Sequence, residues 1–286
     1  MVEGVCIKVL VDDFAVDVRG ESRLVAKHGL SMLVEAKAKD LDVCVLVDVG
    51  PSAEVLLNNV DVLGVNLRKI DAIMLSHGHY DHVDGLIPLL KAIGKSVPVF
   101  VHPSAFYPKF SYNKKLRFIG ASFTTSTVRQ AGGVPILTSS AVKIAEGLMT
   151  TGEIKRLTDY EKPKRFLAFE DGCFVEDALV DDQAFIINLK DKGLVVLTGC
   201  AHSGIVNTIC HAQKVAGTRK VYAVLGGFHL IDATSQRLSK TIEALKSFDI
   251  EFLGPCHCTG KRAIRRLVEA FGDRCRQIKT GGVLNL

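Results

Sequence analysis

The chain has 286 residues, 48 % of them hydrophobic, a formal charge of +5 and eight cysteines. That length and apolar content suffice for one large core, carried as a single domain over 1–286 with an insertion. The charge is modest and spread along the sequence, which speaks against a nucleic-acid partner, and cysteines scattered without C-x-x-C pairs read as reduced thiols rather than a disulfide framework. Residues 1–20 show no basic leader followed by an apolar core, and no run approaches the roughly eighteen uninterrupted apolar residues of a membrane span, so a soluble, cytoplasmic protein is expected, with no membrane partner. Nothing in the sequence sets an oligomeric state.

Residues 5–11 (VCIKVLV), 30–36 (LSMLVEA) and 43–49 (VCVLVDV) are β-branched, apolar runs divided by polar or glycine-containing turns, and predict strands of one sheet. His28 stands in AKHGLS, just ahead of the second strand, where a lone histidine usually serves a turn. Asp48 ends the third strand in VDVGPS, before a helical stretch over 53–64. An acid buried at a strand end needs partners, and it could also cap that helix. Residues 70–75 (IDAIML) predict a short buried strand, and 84–94 (DGLIPLLKAIG) carry apolar side chains at helical spacing. Between them, LSHGHYDHVDGL crowds three histidines and two acids into eight positions of a strand-to-helix loop, a usual place for chemistry. Imidazoles and a carboxylate suit a borderline divalent metal. His77 and His79, two apart in an extended segment, point the same way. Asp81 and His82 follow where the chain turns into the helix and can reach a second metal beside the first.

VPVFVHP (97–103) predicts the next strand. The section 104–182 has poor periodicity and mixes aromatics such as Phe110, Tyr112 and Phe118 with Lys109, Lys114, Lys115 and Arg117. It reads as an inserted lid or binding loop bounded by TGEIKR (151–156) and DDQAFIIN (181–188), with Arg156 near an anion. Aromatic faces beside cations suit a planar ring bearing phosphate, although these aromatics could equally form a small core of their own. The buried strand GLVVLTG (193–199) then runs into CAHSGIVNTI, which places His202 at a strand's carboxyl end. Ser203 could cap the following helix, whose free N–H groups could receive an anion. KVYAVLGGFHL (220–230) runs into a glycine pair and His229, and EFLGPCHCTG (251–260) puts His257 at another strand end. Cys256 and Cys258 flank His257 and, in extended chain, point away from it; Cys200 could share the side of His202 and reads as a small buried thiol. In KRAIRRLVEAF (261–271) an apolar stripe leaves Arg262, Arg265 and Arg266 on a solvated face.

HGHYDH resembles the HxHxDH signature of the metallo-β-lactamase superfamily. The resemblance implies an α/β (α+β) fold, a four-layer αββα sandwich. One or two divalent ions would sit at the rim of its two facing sheets, zinc first, with manganese, iron or magnesium as alternatives. It implies His77, His79 and His202 around one ion, and Asp81, His82 and His257 around a second, weaker one. Asp48 would support the metal loop from behind. The acid that usually bridges both ions is missing, because its strand ends in Gly226 and Gly227. His229, three residues on, would then contact substrate or serve as acid or base, with Asp81 the other candidate catalytic residue.

Across almost the whole chain, KHGLSMLVEA, VDVGPS, SHGHYDHVDGL, TGEIKR, DDQAF, TGCAHSGIVNTI, GGFHL and HCTG resemble the 7,8-dihydropterin-6-methyl-4-(β-D-ribofuranosyl)aminobenzene-5′-phosphate synthase family. That resemblance implies a transferase of methanopterin biosynthesis, joining a dihydropterin methyl diphosphate to an aminobenzene ribose phosphate with release of diphosphate. The implied substrate is small, phosphorylated and aromatic, with His28, Arg156 and His229 as candidate contacts. Lys27 and Lys155 stand where the family pattern leads one to expect glutamate and proline, and both bear on specificity. The same rim could instead activate water for hydrolysis of a phosphoester or phosphodiester, or hold metal without catalysis.

Overall fold

The computed structural model describes residues 1–16, 23–38 and 41–286. Strands Val2–Val11, Ser31–Ala38 and Leu41–Val47 pair antiparallel as neighbours, and Ala72–Met74, Val97–Val101 and Gly133–Leu137 then extend the strip in parallel. The C-terminal half builds a second strip from Ala184–Leu189 and Gly193–Thr198, followed in parallel by Val221–Gly227 and Phe252–Cys256. The strips meet edge to edge where Val2 pairs with Leu189.

Alternation along each strand sorts side chains onto two faces. Ile7, Met32 and Val45 from the first strip meet Phe185, Leu197 and Leu225 from the second in a shared inner core. On the outer face of the first strip, Leu33, Leu46 and Ile73 pack against helices Ala53–Val62 and Leu86–Ile93. On the outer face of the second, Ile186, Val196 and Val224 pack against helices Ile205–Ala216, Ser235–Lys246 and Lys261–Phe271. The result is the expected four-layer αββα sandwich, in which each fully buried aliphatic side chain contributes roughly 1.5–3 kcal/mol. No helix of the described residues is long and apolar enough to cross a membrane.

The 104–182 stretch divides instead of forming one insertion. Gly133–Leu137 joins the edge of the first strip, and Leu148–Thr150 pairs with Ala184–Leu189 in the second. Pro135 is accommodated because Gly133–Leu137 is an edge strand, and a glycine and proline in so short a run hide its periodicity. Lys109–Asn113, Lys115–Phe118, Phe166–Glu170 and Cys173–Glu176 stand apart as a four-stranded antiparallel sheet. That small sheet is pinned by Lys109, a buried lysine whose Nζ lies 3.1 Å from Asp177 and 2.9 Å from Asp181. The other oxygen of Asp181 accepts the Gly78 N–H at 2.8 Å, which ties the small sheet to the histidine loop.

Candidate metal centre

The loops that follow strands Leu41–Val47, Ala72–Met74, Gly193–Thr198, Val221–Gly227 and Phe252–Cys256 open on one rim and carry Asp48, His77, His202, His229 and His257. Seven of the nine histidines gather there. His102 instead caps the turn Pro103–Phe106, and His211 lies against the Thr151 carbonyl. Asp48, Ala201, His229 and His257 all adopt positive φ, between 42° and 57°. Such left-handed backbone in non-glycine residues stores strain, commonly at functional sites.

Asp48 is fully buried and organises the loop from behind. Its carboxylate accepts the Ser76 N–H, the Ser76 hydroxyl and His82 Nδ1–H, each at 2.7 Å. With its hydroxyl proton given to Asp48, Ser76 Oγ accepts His77 Nδ1–H at 2.9 Å. Both tautomers are therefore set, and Nε2 of His77 and of His82 carries a free lone pair facing the rim. Gly78 lies between the two ligand-type histidines because a Cβ there would stand 2.0 Å from the Ala105 carbonyl oxygen.

His77 Nε2 lies 3.0 Å from His79 Nδ1, which lies 3.2 Å from His202 Nε2. Burial, with the neighbouring imidazoles of His82, His79 and His202, holds His77 well below the ordinary histidine range. Burial takes His79 down to about 3 and also lowers His202 well below that range. Three neutral rings thus turn nitrogens toward one point, and the Nδ1 of a neutral His79, either one donor or one acceptor, cannot satisfy both neighbours. A tetrahedral zinc site with Zn–N near 2.0–2.1 Å has donor–donor edges of about 3.3 Å, so the trio fits a divalent ion.

The second set surrounds Asp81. Its Oδ2 lies 3.4 Å from His257 Nε2, 3.4 Å from His28 Nε2 and 3.8 Å from His82 Nε2, while His82 Nε2 and His257 Nε2 are 3.3 Å apart. Burial alone would raise Asp81, but the imidazoles of His82 and His257 outweigh it and hold the carboxyl well below the usual range. Asp13 supports this set as Asp48 supports the loop: it accepts His257 Nδ1–H at 2.7 Å and His28 Nδ1–H at 3.0 Å. Asp12 accepts the His257 N–H at 2.8 Å, and burial pushes Asp12 up to about 6. Sequence reasoning passed over both acids. The available signal was a pair of aspartates closing the buried strand VCIKVLV, the same pattern that marks Asp48.

A cavity of about 280 Å³ opens over these groups. His28, Tyr80, Asp81, His229 and His257 line it from the rim, and Ser111, Arg117 and Phe166 from the small sheet. The Phe166 ring centroid lies 5.0 Å from that of His202, edge-on, and 5.2 Å and 5.7 Å from those of His79 and His229, tilted. The His229 ring sits 4.3 Å from that of His202, and its Nδ1 is buried without a hydrogen-bond partner. Arg156 does not line this cavity; its guanidinium donates to the carbonyls of Ala178 and Leu179 and braces the return from the small sheet. Nor are the N–H groups of Val206 and Asn207, in the first turn of the helix after His202, open to an anion. Glu161 accepts Val206 N–H at 3.1 Å and Asn207 N–H at 3.0 Å, while the Ser203 N–H donates to Asp182 and Gly204 takes the cap position.

A four-layer sandwich with a histidine-rich rim between two facing strips defines the class of metallo-β-lactamase-fold proteins. The profile of the metallo-beta-lactamase superfamily matches residues 26–166. The chain is 34 % identical to 7,8-dihydropterin-6-methyl-4-(beta-D-ribofuranosyl)-aminobenzene-5'-phosphate synthase of Methanocaldococcus jannaschii, over 99 % of this chain and 97 % of that one. Among solved structures, Tm1679, described as a metal-dependent hydrolase of the beta-lactamase superfamily, superposes with a TM-score of 0.81 at 28 % identity, covering 98 % of both chains. Zinc-bound PqqB from Methylobacterium extorquens shares the fold, with a TM-score of 0.55 at 16 % identity over 98 % of this chain and all of that one. The chain belongs to the metallo-β-lactamase superfamily and, within it, to the family of the Methanocaldococcus synthase.

Proposed function

We propose that the protein is a metal-dependent transferase that joins a dihydropterin methyl diphosphate to an aminobenzene ribose phosphate and releases diphosphate. The observation that carries this reading is that Phe166 and Arg117 of the small sheet line the same cavity as the histidine rim. An aromatic face beside a cation is what a planar ring bearing phosphate requires. Identity to the named synthase along the whole chain, small sheet included, supports it. On this reading the protein works in the cytoplasm, where its eight free cysteines stay reduced, and needs neither nucleic acid nor membrane.

His77, His79 and His202 would hold one ion, and Asp81, His82 and His257 a second. Divalent ions bound there supply Lewis-acid polarisation of the leaving diphosphate. Phe166 orients the ring and covers the rim against water, while His28 and Arg117, which line the same cavity, face the substrate. His229, free of the protein's own hydrogen bonds at Nδ1, moves a proton at that nitrogen, and Asp81 orients His28 and His257.

The decisive assay incubates metal-loaded protein with a dihydropterin methyl diphosphate, with and without the amine, and follows diphosphate and phosphate separately. Amine-dependent diphosphate release supports the synthase. Phosphate release without the amine supports phosphoester hydrolysis, the second reading; the likeness to Tm1679, described as a metal-dependent hydrolase, favours hydrolysis as a reaction class. Metal analysis of His79→Ala should show near-complete loss of the tighter ion, and unchanged stoichiometry would remove His79 from the ligand set. His229→Gln should keep fold and metal content yet cut turnover by roughly a hundredfold or more. Loss of metal in that variant would make His229 a ligand instead, and full activity would make it a packing residue.

A further inference from the structure

We propose that Cys200 Sγ is the fourth donor of the second metal position, beside Asp81 Oδ2, His82 Nε2 and His257 Nε2. The inference rests on the reading that the rim holds metal. Cys200 is 3 % exposed and lines the cavity. Its sulfur lies 3.2 Å from His82 Nε2, a separation like the 3.3 Å between His82 Nε2 and His257 Nε2. The same sulfur falls within 4.8 Å of donor atoms of His77 and His82, of His257 and Cys258, and of His202 and His229. It therefore stands between the two sets rather than at the margin of one.

The packing calls for a donor from outside the strand Val221–Gly227, and hydrogen bonding singles out this sulfur. A Cβ on Gly227 would lie 2.6 Å from Cys258 Sγ and 2.4 Å from the Gly199 carbonyl oxygen, so the end of strand Val221–Gly227 leaves no room for a side chain of its own. The Cys258 thiol and the backbone of Gly199 and Cys200 already fill that space. Of the two thiols, Cys258 turns its S–H to the Cys200 carbonyl at 3.6 Å, whereas Cys200 faces the lone pair of His82 Nε2. The second set otherwise holds one carboxylate against a dication, and a thiolate adds the negative charge that neutral imidazoles do not bring. Coordination breaks the S–H bond and releases its proton to solvent as the sulfur–metal bond forms. A thiolate donor also fixes the class of ion: zinc, cobalt(II) or iron(II) rather than magnesium or manganese.

Cobalt(II) substitution tests this without reference to turnover. Cobalt-loaded wild type should show a sulfur-to-cobalt charge-transfer band in the near ultraviolet, lost in Cys200→Ser and kept in Cys258→Ser. The Cys200→Ser variant should also bind its second ion at least tenfold more weakly, with the first retained. Persistence of the band in Cys200→Ser overturns the assignment, as does a wild type that binds cobalt without the band. That second outcome leaves the metal rim standing, whereas a wild type binding no cobalt at all removes both. Should Cys200→Ser fail to fold, cadmium NMR of the unaltered protein decides. A thiolate-shifted resonance supports the ligand, and nitrogen and oxygen shifts alone overturn it.

Discussion

Asp48→Ala should be among the most damaging single substitutions in the chain. It strips the partner from three buried donors at once: the Ser76 N–H, the Ser76 hydroxyl and His82 Nδ1–H. Each buried donor left unsatisfied costs about 1–3 kcal/mol, so a loss of at least about 3 kcal/mol is expected, a large share of the roughly 5–15 kcal/mol that holds a domain together. The damage should reach the metal as well, because His82 loses the group that sets its tautomer, and such partners are commonly worth about 10- to 100-fold in affinity. Urea denaturation of the metal-free protein measures the first effect and metal titration the second. A variant with unchanged midpoint and unchanged metal affinity would show that Ser76 and His82 hold their places without Asp48.

Lys109→Met should cost about as much, by another route. It leaves Asp177 and Asp181 buried without their shared cation, and breaking a buried pair on one side typically costs about 3–5 kcal/mol. Adding Asp177→Asn and Asp181→Asn should recover much of the loss, because the penalty is an unpaired charge rather than a missing contact. The pH dependence has a definite sign. In the wild type, burial pushes Asp181 up, but Lys109 outweighs it and holds the carboxyl below the usual range. Without Lys109 the folded-state value rises above that of the unfolded chain, so the folded variant binds a proton that the unfolded chain releases. Its deficit relative to wild type should therefore shrink as pH falls from about 8 toward 5 and grow as pH rises. Paired denaturation curves across that range check it, and a deficit independent of pH would point to lost packing instead.

The histidine loop was legible because its chemistry is local: a strand, eight crowded residues and a helix lie consecutively in the chain, and the strand-end pattern repeats at His202 and His257. The αββα layering was implied by the resemblance of HGHYDH to the superfamily signature, and the alternation that sorts Ile7 and Met32 from Leu33 and Leu46 is how the strands realise it. What escaped was set by distance in sequence. Asp13 meets His257 across 244 positions and Asp12 meets the same residue across 245, and no window of sequence links them. Arg156 read as an anion contact because a cation beside a presumed lid invites one, yet backbone carbonyls at the return of the small sheet claim it first. The helix after His202 read as an open anion site for lack of any sign that Glu161, 45 positions upstream of Val206, would fill it. Strand Gly133–Leu137 was hidden inside the 104–182 stretch by its own glycine and proline.

The two strips contribute unequally to each cluster of donors, and neither cluster is complete on one side. His79 comes from the first half and His202 from the second, 123 positions apart; His82 and His257 are 175 apart. Any ion seated among them is thus a cross-link closing a chain loop of that length, in a protein whose cysteines form no disulfide. Closing long loops restricts the unfolded chain most, so such a link acts on the denatured ensemble as much as on the folded rim. It differs from a covalent staple in being reversible, which makes the supply of free metal, and not only temperature or denaturant, a thermodynamic variable of the fold itself.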